Sequence, residues 1–170
     1  MKTLFLALAV VASATHADAP APASPMDRLM AALPGTWHTV GQTFDTQFTK
    51  AGAQNYTTLR DCWRDKDSVK CVFVVNGSLQ LYDIFSYDTQ DGLYHETQVT
   101  PQGKQPEFHI SVKDPVWTYD QDIASRDGGV IHYRIVRTYR SPLSVDYSYA
   151  FSTDGKQWTE IAKGTESKNP

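Results

Sequence analysis

The side chains that could do chemistry in this sequence are histidines and carboxylates outside any recognised motif. The histidines beyond residue 17 are His38, His95, His109 and His132. Their spacing is not that of metal ligands, so a metal site would need the fold to bring them together, and we predict neither a metal nor another cofactor. The sequence has no Gly-x-Ser-x-Gly elbow, Walker loop, His-Glu-x-x-His motif or calcium loop. No residue is therefore assigned a catalytic role.

Three carboxylates, Asp61, Asp83 and Glu96, lie in segments that resemble strands. A carboxylate that is removed from water can act as a general acid or base. A carboxylate that faces a lysine is more often one half of an ion pair. We expect the second role for Asp83, because the strand register proposed below places it opposite Lys70.

Aromatic residues are the most suggestive feature of the predicted inner faces. A buried tyrosine needs a partner for its hydroxyl group, whereas a packed core is usually built from aliphatic residues. Inward tyrosines near His95 and Arg137 therefore fit a partly hydrated cavity that holds a small ligand. In the alternative, half of these tyrosines face outward or line the rim. The predicted ligand-binding residues are Trp63, Asp83, His95, Tyr133, Arg137 and Tyr147.

The elements that must position these residues are almost all strands. Residues 26–33 have apolar side chains at helical spacing, with Ser24 as a cap and Pro34-Gly35 as the end. Ten segments rich in β-branched and aromatic residues follow, separated by turn sequences such as Asn76-Gly77. They are 36–45, 55–64, 69–76, 78–87, 93–100, 106–113, 116–121, 130–140, 144–152 and 157–163. This pattern predicts an all-β, antiparallel up-and-down barrel with a short N-terminal helix.

The two cysteines can be placed by counting outward from a turn. A two-residue turn at Lys66-Asp67 sets Cys62 opposite Cys71, where side chains approach closely enough for a disulfide. A redox pair or metal ligands are the alternatives, although Cys-x8-Cys does not match common metal spacing. A similar count from Asn76-Gly77 sets Lys70 opposite Asp83.

Alternation then predicts which face of each strand points inward. In the first three strands we assign inward the face with more large aliphatic residues, although the other face is not cleanly polar and the reverse stays open. The residues predicted inward are Leu59, Asp61, Trp63, Lys70, Val72, Val74, Leu79, Leu81, Asp83 and Phe85 in these strands, then Leu93, His95, Thr97 and Val99, and finally Ile131, Tyr133, Ile135, Arg137, Tyr139, Val145, Tyr147, Tyr149 and Phe151.

The N-terminus has the pattern of a secretory signal peptide. Lys2 precedes the apolar run 4–12, and small residues lead to a cleavage point after Ala17. We predict a signal peptide over 1–17, an Ala/Pro tether over 18–25 and the barrel domain over 26–165, in a periplasmic or extracellular protein without a stable membrane anchor. The formal charge is −3, from 16 basic and 19 acidic residues, and loss of Lys2 makes it −4. This mild acidity argues against a nucleic-acid partner.

Gly35-Thr36-Trp37, placed between a short helix and the first strand, resembles the start of lipocalins. The resemblance implies that Trp37 closes the floor of the barrel, with Arg137 as its candidate partner. The longer pattern is similar to an uncharacterised family of secreted bacterial proteins with a lipocalin-like barrel. Its residues are Leu29, Leu33-Pro34-Gly35-Thr36-Trp37, Cys62-Trp63, Cys71, Tyr82-Asp83, Tyr87-Asp88, Trp117-Thr118-Tyr119, Tyr133-Arg134, Arg137, Ser141-Pro142 and Ser152-Thr153-Asp154-Gly155-Lys156-Gln157-Trp158. The similarity implies a lipocalin-like fold and secretion, but no activity.

Three functions follow from this sequence. The leading one is an exported protein that binds a small apolar or amphipathic molecule. The second is a barrel enzyme of isomerase or lyase type that uses His95, Asp83 or Arg137. The third is a structural or envelope-interaction module with a filled barrel. A cavity above about 300 Å³ would separate the first two from the third.

Overall fold

The computed structural model describes residues 23–125 and 128–168, which contain one helix and eleven strands. The predicted signal peptide and most of the tether lie outside the described residues. The helix is α1 (Pro25–Ala32). The strands are β1 (Gly35–Thr43), β2 (Gly52–Asp65), β3 (Ser68–Val75), β4 (Ser78–Asp88), β5 (Leu93–Thr100), β6 (Gly103–Lys104), β7 (Phe108–Lys113), β8 (Val116–Ala124), β9 (Val130–Ser141), β10 (Ser144–Ser152) and β11 (Thr159–Lys168). No helix among these residues has the length and apolar character to cross a membrane.

The strands close into a ten-stranded antiparallel barrel. Strands β1 to β5 and β7 to β11 pair in sequence order, β5 also pairs with β7, and β1 also pairs with β11. The two-residue β6 is an extension that pairs only with β5. Closure leaves no long unpaired edge, because every long strand has two partners. The predicted all-β barrel with a short N-terminal helix is confirmed.

Helix α1 lies against the barrel at β2, β3 and β4. Ser24 caps its start, because the Ser24 hydroxyl accepts a hydrogen bond from Asp27 N at 3.2 Å. Leu29 and Leu33 are buried in the core. Trp37 is fully buried and its Nε1 donates to the Leu33 carbonyl at 3.1 Å, which ties the end of the helix segment to β1.

The cation above the Trp37 ring is not the expected Arg137. Lys168 Nζ lies 4.8 Å from the centroid of the ring and donates to the Pro34 carbonyl. Lys168 occupies this position because β11 pairs with β1 and places it beside Trp37.

The predicted Cys62–Cys71 disulfide is confirmed, and its register is the one expected from the Lys66-Asp67 turn. Cys71 is buried inside the barrel. The side chains on its face of β2 and β3 therefore point inward, which is the reverse of the predicted orientation. Trp63 consequently lies outside, with 45% of its surface exposed.

The expected pairing of Lys70 with Asp83 is wrong. Val75 does pair with Ser78, but the register shifts between Phe73 and Val74, and Cys71 then lies opposite Asp83. The shift reverses the relation between the faces of β3 and β4, so Asp83 and Phe85 point inward, as predicted. Lys70 instead binds Asp65 on the outer surface at 2.5 Å.

The orientation of β5 is also the reverse of the prediction. Tyr94 and Glu96 are buried, whereas His95 lies on the outer side. The later strands agree with the prediction, because Arg137, Val145, Tyr147 and Phe151 are all buried.

Two glycines form the seam between the first and last strands. Gly41 and Gly164 are register partners on β1 and β11, below the Tyr147 hydroxyl. A Cβ on Gly164 would lie 2.3 Å from the Val40 carbonyl and 2.6 Å from the Gly41 Cα. Both neighbours are backbone atoms, so neither can move aside without shifting a strand.

We expect Gly164→Ala to lower the free energy of unfolding by about 1–3 kcal/mol, as over-packing does in other cores. Urea unfolding monitored by circular dichroism measures this loss. Gly52→Ala is the matched control, because a Cβ there would meet only the Thr43 hydroxyl, at 3.6 Å. Equal stability of the two variants would contradict the close seam.

Candidate functional site

A polar cavity of about 110 Å³ lies inside the barrel, with Leu33 in its wall. Four strands place ionisable side chains around it: Arg60 on β2, Asp83 on β4, Glu96 on β5 and Arg137 on β9. Period-two alternation sends each of them inward, since each shares a face with buried neighbours. The remaining wall is largely aromatic and aliphatic, and includes Phe73, Phe85, Tyr119, Ile135 and Tyr149.

Arg137 is inside the barrel, as predicted, and its charge is neutralised by Glu166. The two side chains are each about 5% exposed, and Arg137 Nη2 donates to Glu166 Oε2. Burial pushes the pKa of Glu166 upward, but the Arg137 and Arg60 charges outweigh burial and hold that pKa below its usual value. β10 lies between β9 and β11, and Arg137 reaches across it to Glu166. The partner of Arg137 is therefore neither Asp83 nor Trp37.

Asp83 and Glu96 form a pair of buried carboxyl groups. Burial, and then the neighbouring Glu96, raise the pKa of Asp83 well above its ordinary value. Burial also raises the pKa of Glu96, although hydrogen bonds from Gln98 and Asp83 oppose it. Gln98 Nε2 donates to Glu96 Oε1 at 2.8 Å. Burial and the neighbouring carboxyl group thus favour the protonated form of Asp83, whose hydroxyl can donate a hydrogen bond to Glu96.

Two groups in this cavity retain unused hydrogen-bonding capacity. Asp83 Oδ1 is buried and has no hydrogen-bond partner among the residues that the structure describes. Arg60 forms no hydrogen bond or ion pair within the described ranges, and its guanidinium lies 5.2 Å from the centre of the Phe73 ring. The cavity wall thus offers an acceptor at Asp83 and guanidinium donors at Arg60.

Comparisons with known proteins show the fold and no more. No family matches the sequence, and no curated protein is similar to it. Among solved structures, Rv2717c from M. tuberculosis is 11% identical with a TM-score of 0.54, over 86% of this chain and 99% of that one. A redesigned β-barrel is 18% identical with a TM-score of 0.35, over 81% of this chain and 92% of that one. The resemblance to an uncharacterised secreted family stays a prediction.

The structure gathers only part of the predicted ligand-binding set. Asp83 and Arg137 line the cavity. Tyr133 and Tyr147 project from the inner faces of β9 and β10 but are not in the wall of this cavity. Burial raises the pKa of both tyrosines to about 12, so they stay protonated. Trp63 lies on the outer surface, and so does His95.

Of the residues considered for a barrel enzyme, namely His95, Asp83 or Arg137, the structure brings Asp83 and Arg137 into one cavity but not His95. His95 projects from the opposite face of the sheet, where it contacts Asp91 and Glu107 at 3.0 and 3.1 Å.

The sequence named Glu96 as a candidate acid or base but predicted the opposite face of β5 as the inner one, and it did not assign Arg60, Gln98 or Glu166 to the site. One usable signal existed for Arg60, because it precedes Cys62 by two residues and must share its face. The sequence carries no comparable signal for Glu166, which lies beyond the last predicted strand, 157–163, and meets Arg137 across β10.

Proposed function

We propose that this barrel binds a small amphipathic molecule by its polar head group, inside the cavity formed by Arg60, Asp83 and Glu96. The observation that supports the proposal is the presence in one cavity of a buried acceptor, Asp83 Oδ1, and of guanidinium donors on Arg60, without protein partners among the described residues. A buried polar group without a hydrogen bond costs about 1–3 kcal/mol. A ligand that supplies the missing partner recovers that cost.

The chemistry of the wall favours a particular head group. The group must present an oxygen atom to Arg60 and an N–H or O–H donor to Asp83. A primary amide, or a carboxylic acid in its protonated form, has both in a compact form, whereas an amine has no acceptor oxygen. Phe73 and Leu81 provide apolar contacts beside these polar groups.

The cavity volume limits the size of the ligand. Typical small-molecule pockets have about 300–1,000 Å³, against about 110 Å³ here. Only a head group or a short molecule fits, so long-chain lipids are not the proposed class. The disulfide is compatible with export, and we include secretion through the predicted signal peptide in the proposal.

Titration calorimetry with hexanoic acid, hexanamide and hexylamine tests the proposal. We expect the acid and the amide to bind and the amine not to bind. Arg60→Met should weaken binding of the acid by about 10–100-fold, the range for a charge-assisted hydrogen bond. Arg140→Met is the matched control, since Arg140 is exposed and paired with Asp146.

The proposal fails if the amine binds as well as the acid, or if Arg60→Met binds hexanoic acid like the wild type. Asp83→Ala, which removes the acceptor, is a second variant in case Arg60→Met does not fold. It should reduce affinity for the amide more than Asp61→Ala, which makes the same change on the exposed surface of β2. Native mass spectrometry of protein purified from its own host would then give the mass of a retained ligand.

A filled barrel with a structural role is the second candidate, and the small cavity favours it. The buried Arg137–Glu166 pair fills part of the barrel interior, which holds a cavity of only about 110 Å³. In this case none of the three probes binds to the folded protein, and interior substitutions change stability alone.

A further inference from the structure

Two histidines on different strands are neighbours on the outer surface of the barrel. His95 on β5 and His109 on β7 are register partners, and their rings are 4.9 Å apart. Glu107 immediately precedes β7, and Asp91 precedes β5. The four side chains come from two segments that meet only when β5 pairs with β7.

The donor atoms of three of these residues converge. His95 Nδ1 lies 3.1 Å from Glu107 Oε2, and His109 Nε2 lies 3.9 Å from the same oxygen. One ligand atom from each of the three residues lies within 4.8 Å of the other two. Ligands at about 2.0–2.1 Å around a tetrahedral Zn²⁺ ion are themselves about 3.3 Å apart. Small side-chain rotations therefore suffice to bring all three atoms onto one ion.

A second carboxylate orients the better-buried histidine. His95 Nε2 lies 3.0 Å from Asp91 Oδ2, so a proton on Nε2 is donated to Asp91 and the lone pair of Nδ1 is left for a metal. Histidine ligands commonly donate their other ring N–H to a carboxylate, which fixes the tautomer and raises ligand basicity. Thr97 Oγ1 similarly donates to Glu107 Oε1 at 3.3 Å. The supporting contacts around His95 and Glu107 thus match those of a metal site.

We propose that His95 Nδ1, Glu107 and His109 Nε2 bind a divalent transition-metal ion of the Zn²⁺ class, with Asp91 as the supporting carboxylate. Two imidazoles and one carboxylate suit Zn²⁺ better than Ca²⁺ or Mg²⁺, which prefer oxygen ligands. The His95 side chain is 17% exposed and that of His109 is 51% exposed. An ion here would therefore keep at least one coordination position open to solvent.

Isothermal titration of the intact, disulfide-bonded protein with Zn²⁺ alone tests the site, together with metal analysis after gel filtration. We expect one equivalent of Zn²⁺ per chain. His95→Ala and His109→Ala should each lose stoichiometric binding, and Asp91→Asn should bind about 10–100-fold more weakly, as substitution of a supporting carboxylate does elsewhere. Circular dichroism checks that each variant is folded.

Two further variants make the result specific. His132→Ala should bind like the wild type, because His132 lies 2.7 Å from Asp122 in a surface pair whose partners belong to neither candidate group of metal ligands. Asp88→Asn should also bind normally, although Asp88, Asp91 and His95 form an alternative group. The proposal is overturned if the wild type takes up no Zn²⁺, if His109→Ala binds normally, or if Asp88→Asn abolishes binding.

Discussion

Replacing Arg137 with methionine is expected to lower the free energy of unfolding by about 3–5 kcal/mol, the usual cost of removing one partner of a buried ion pair. The loss arises because Glu166 would remain in the barrel without its guanidinium, and both side chains are only about 5% exposed. Methionine has a comparable length and keeps most of the packing. Urea unfolding at neutral pH measures the change.

A double variant separates the charge from the packing. Arg137→Met with Glu166→Leu removes both charges and should recover most of the lost stability, since an apolar replacement of a buried pair is often neutral. Arg140→Met on the same strand is the control. Its pair with Asp146 is exposed, so its loss should stay below about 1 kcal/mol. A double variant no more stable than Arg137→Met would show that Glu166 is not the partner that matters.

The barrel and its hairpins could be predicted because they depend on short-range signals. The turn at Asn76-Gly77 has positive φ at both residues, which few other dipeptides tolerate. The turn before Ser68 fixed the register of Cys62 and Cys71 by simple counting. Helix α1 was similarly predicted from Ser24 and apolar spacing. Each of these signals lies within a few residues of the feature it specifies.

The orientation of the early strands could not be predicted in the same way. Alternation divides a strand into two faces, but composition must decide which face is buried. The outer face of β2 to β5 is unusually apolar, and its exposed members are Leu59, Trp63, Leu79, Tyr82, Ile84 and Val99. The rule that the more aliphatic face points inward therefore failed on β2 and β3. The register shift at Phe73 reversed the relation between β3 and β4, which kept Asp83 inside.

The cavity depends on contacts between segments that are distant in sequence. Arg137 was placed correctly, because its strand face also carries Tyr133 and Ile135. Its partner Glu166 is 29 residues away, and the pairing of β10 with both β9 and β11 brings the two together. The convergence of His95 and His109 likewise depends on the pairing of β5 with β7. Alternation predicts the face of a strand, but not which side chains meet across a neighbouring strand.

Asp83→Asn is expected to stabilise the protein increasingly as the pH rises above about 4, the ordinary pKa range of aspartate. The pKa of Asp83 in the folded state is raised, chiefly by burial and then by Glu96. Above the ordinary pKa of aspartate, about 3.9, the unfolded chain releases this proton while the folded protein retains it. The folded state then binds more protons than the unfolded state, so wild-type stability falls as pH rises.

Asparagine cannot ionise, so the variant avoids this loss and can still donate a hydrogen bond to Glu96. The difference in unfolding free energy between variant and wild type should therefore increase with pH, with a slope of at most about 1.4 kcal/mol per pH unit for one proton. Using the difference cancels the titration of groups common to both proteins, such as Glu166 and His95. Urea unfolding at intervals between pH 4 and 9 provides the curve, with Asp61→Asn on the outer surface of β2 as the control. If the difference in unfolding free energy were constant with pH, or equal to that of the control, Asp83 would be ionised in the folded barrel. It would then donate no hydrogen bond to Glu96.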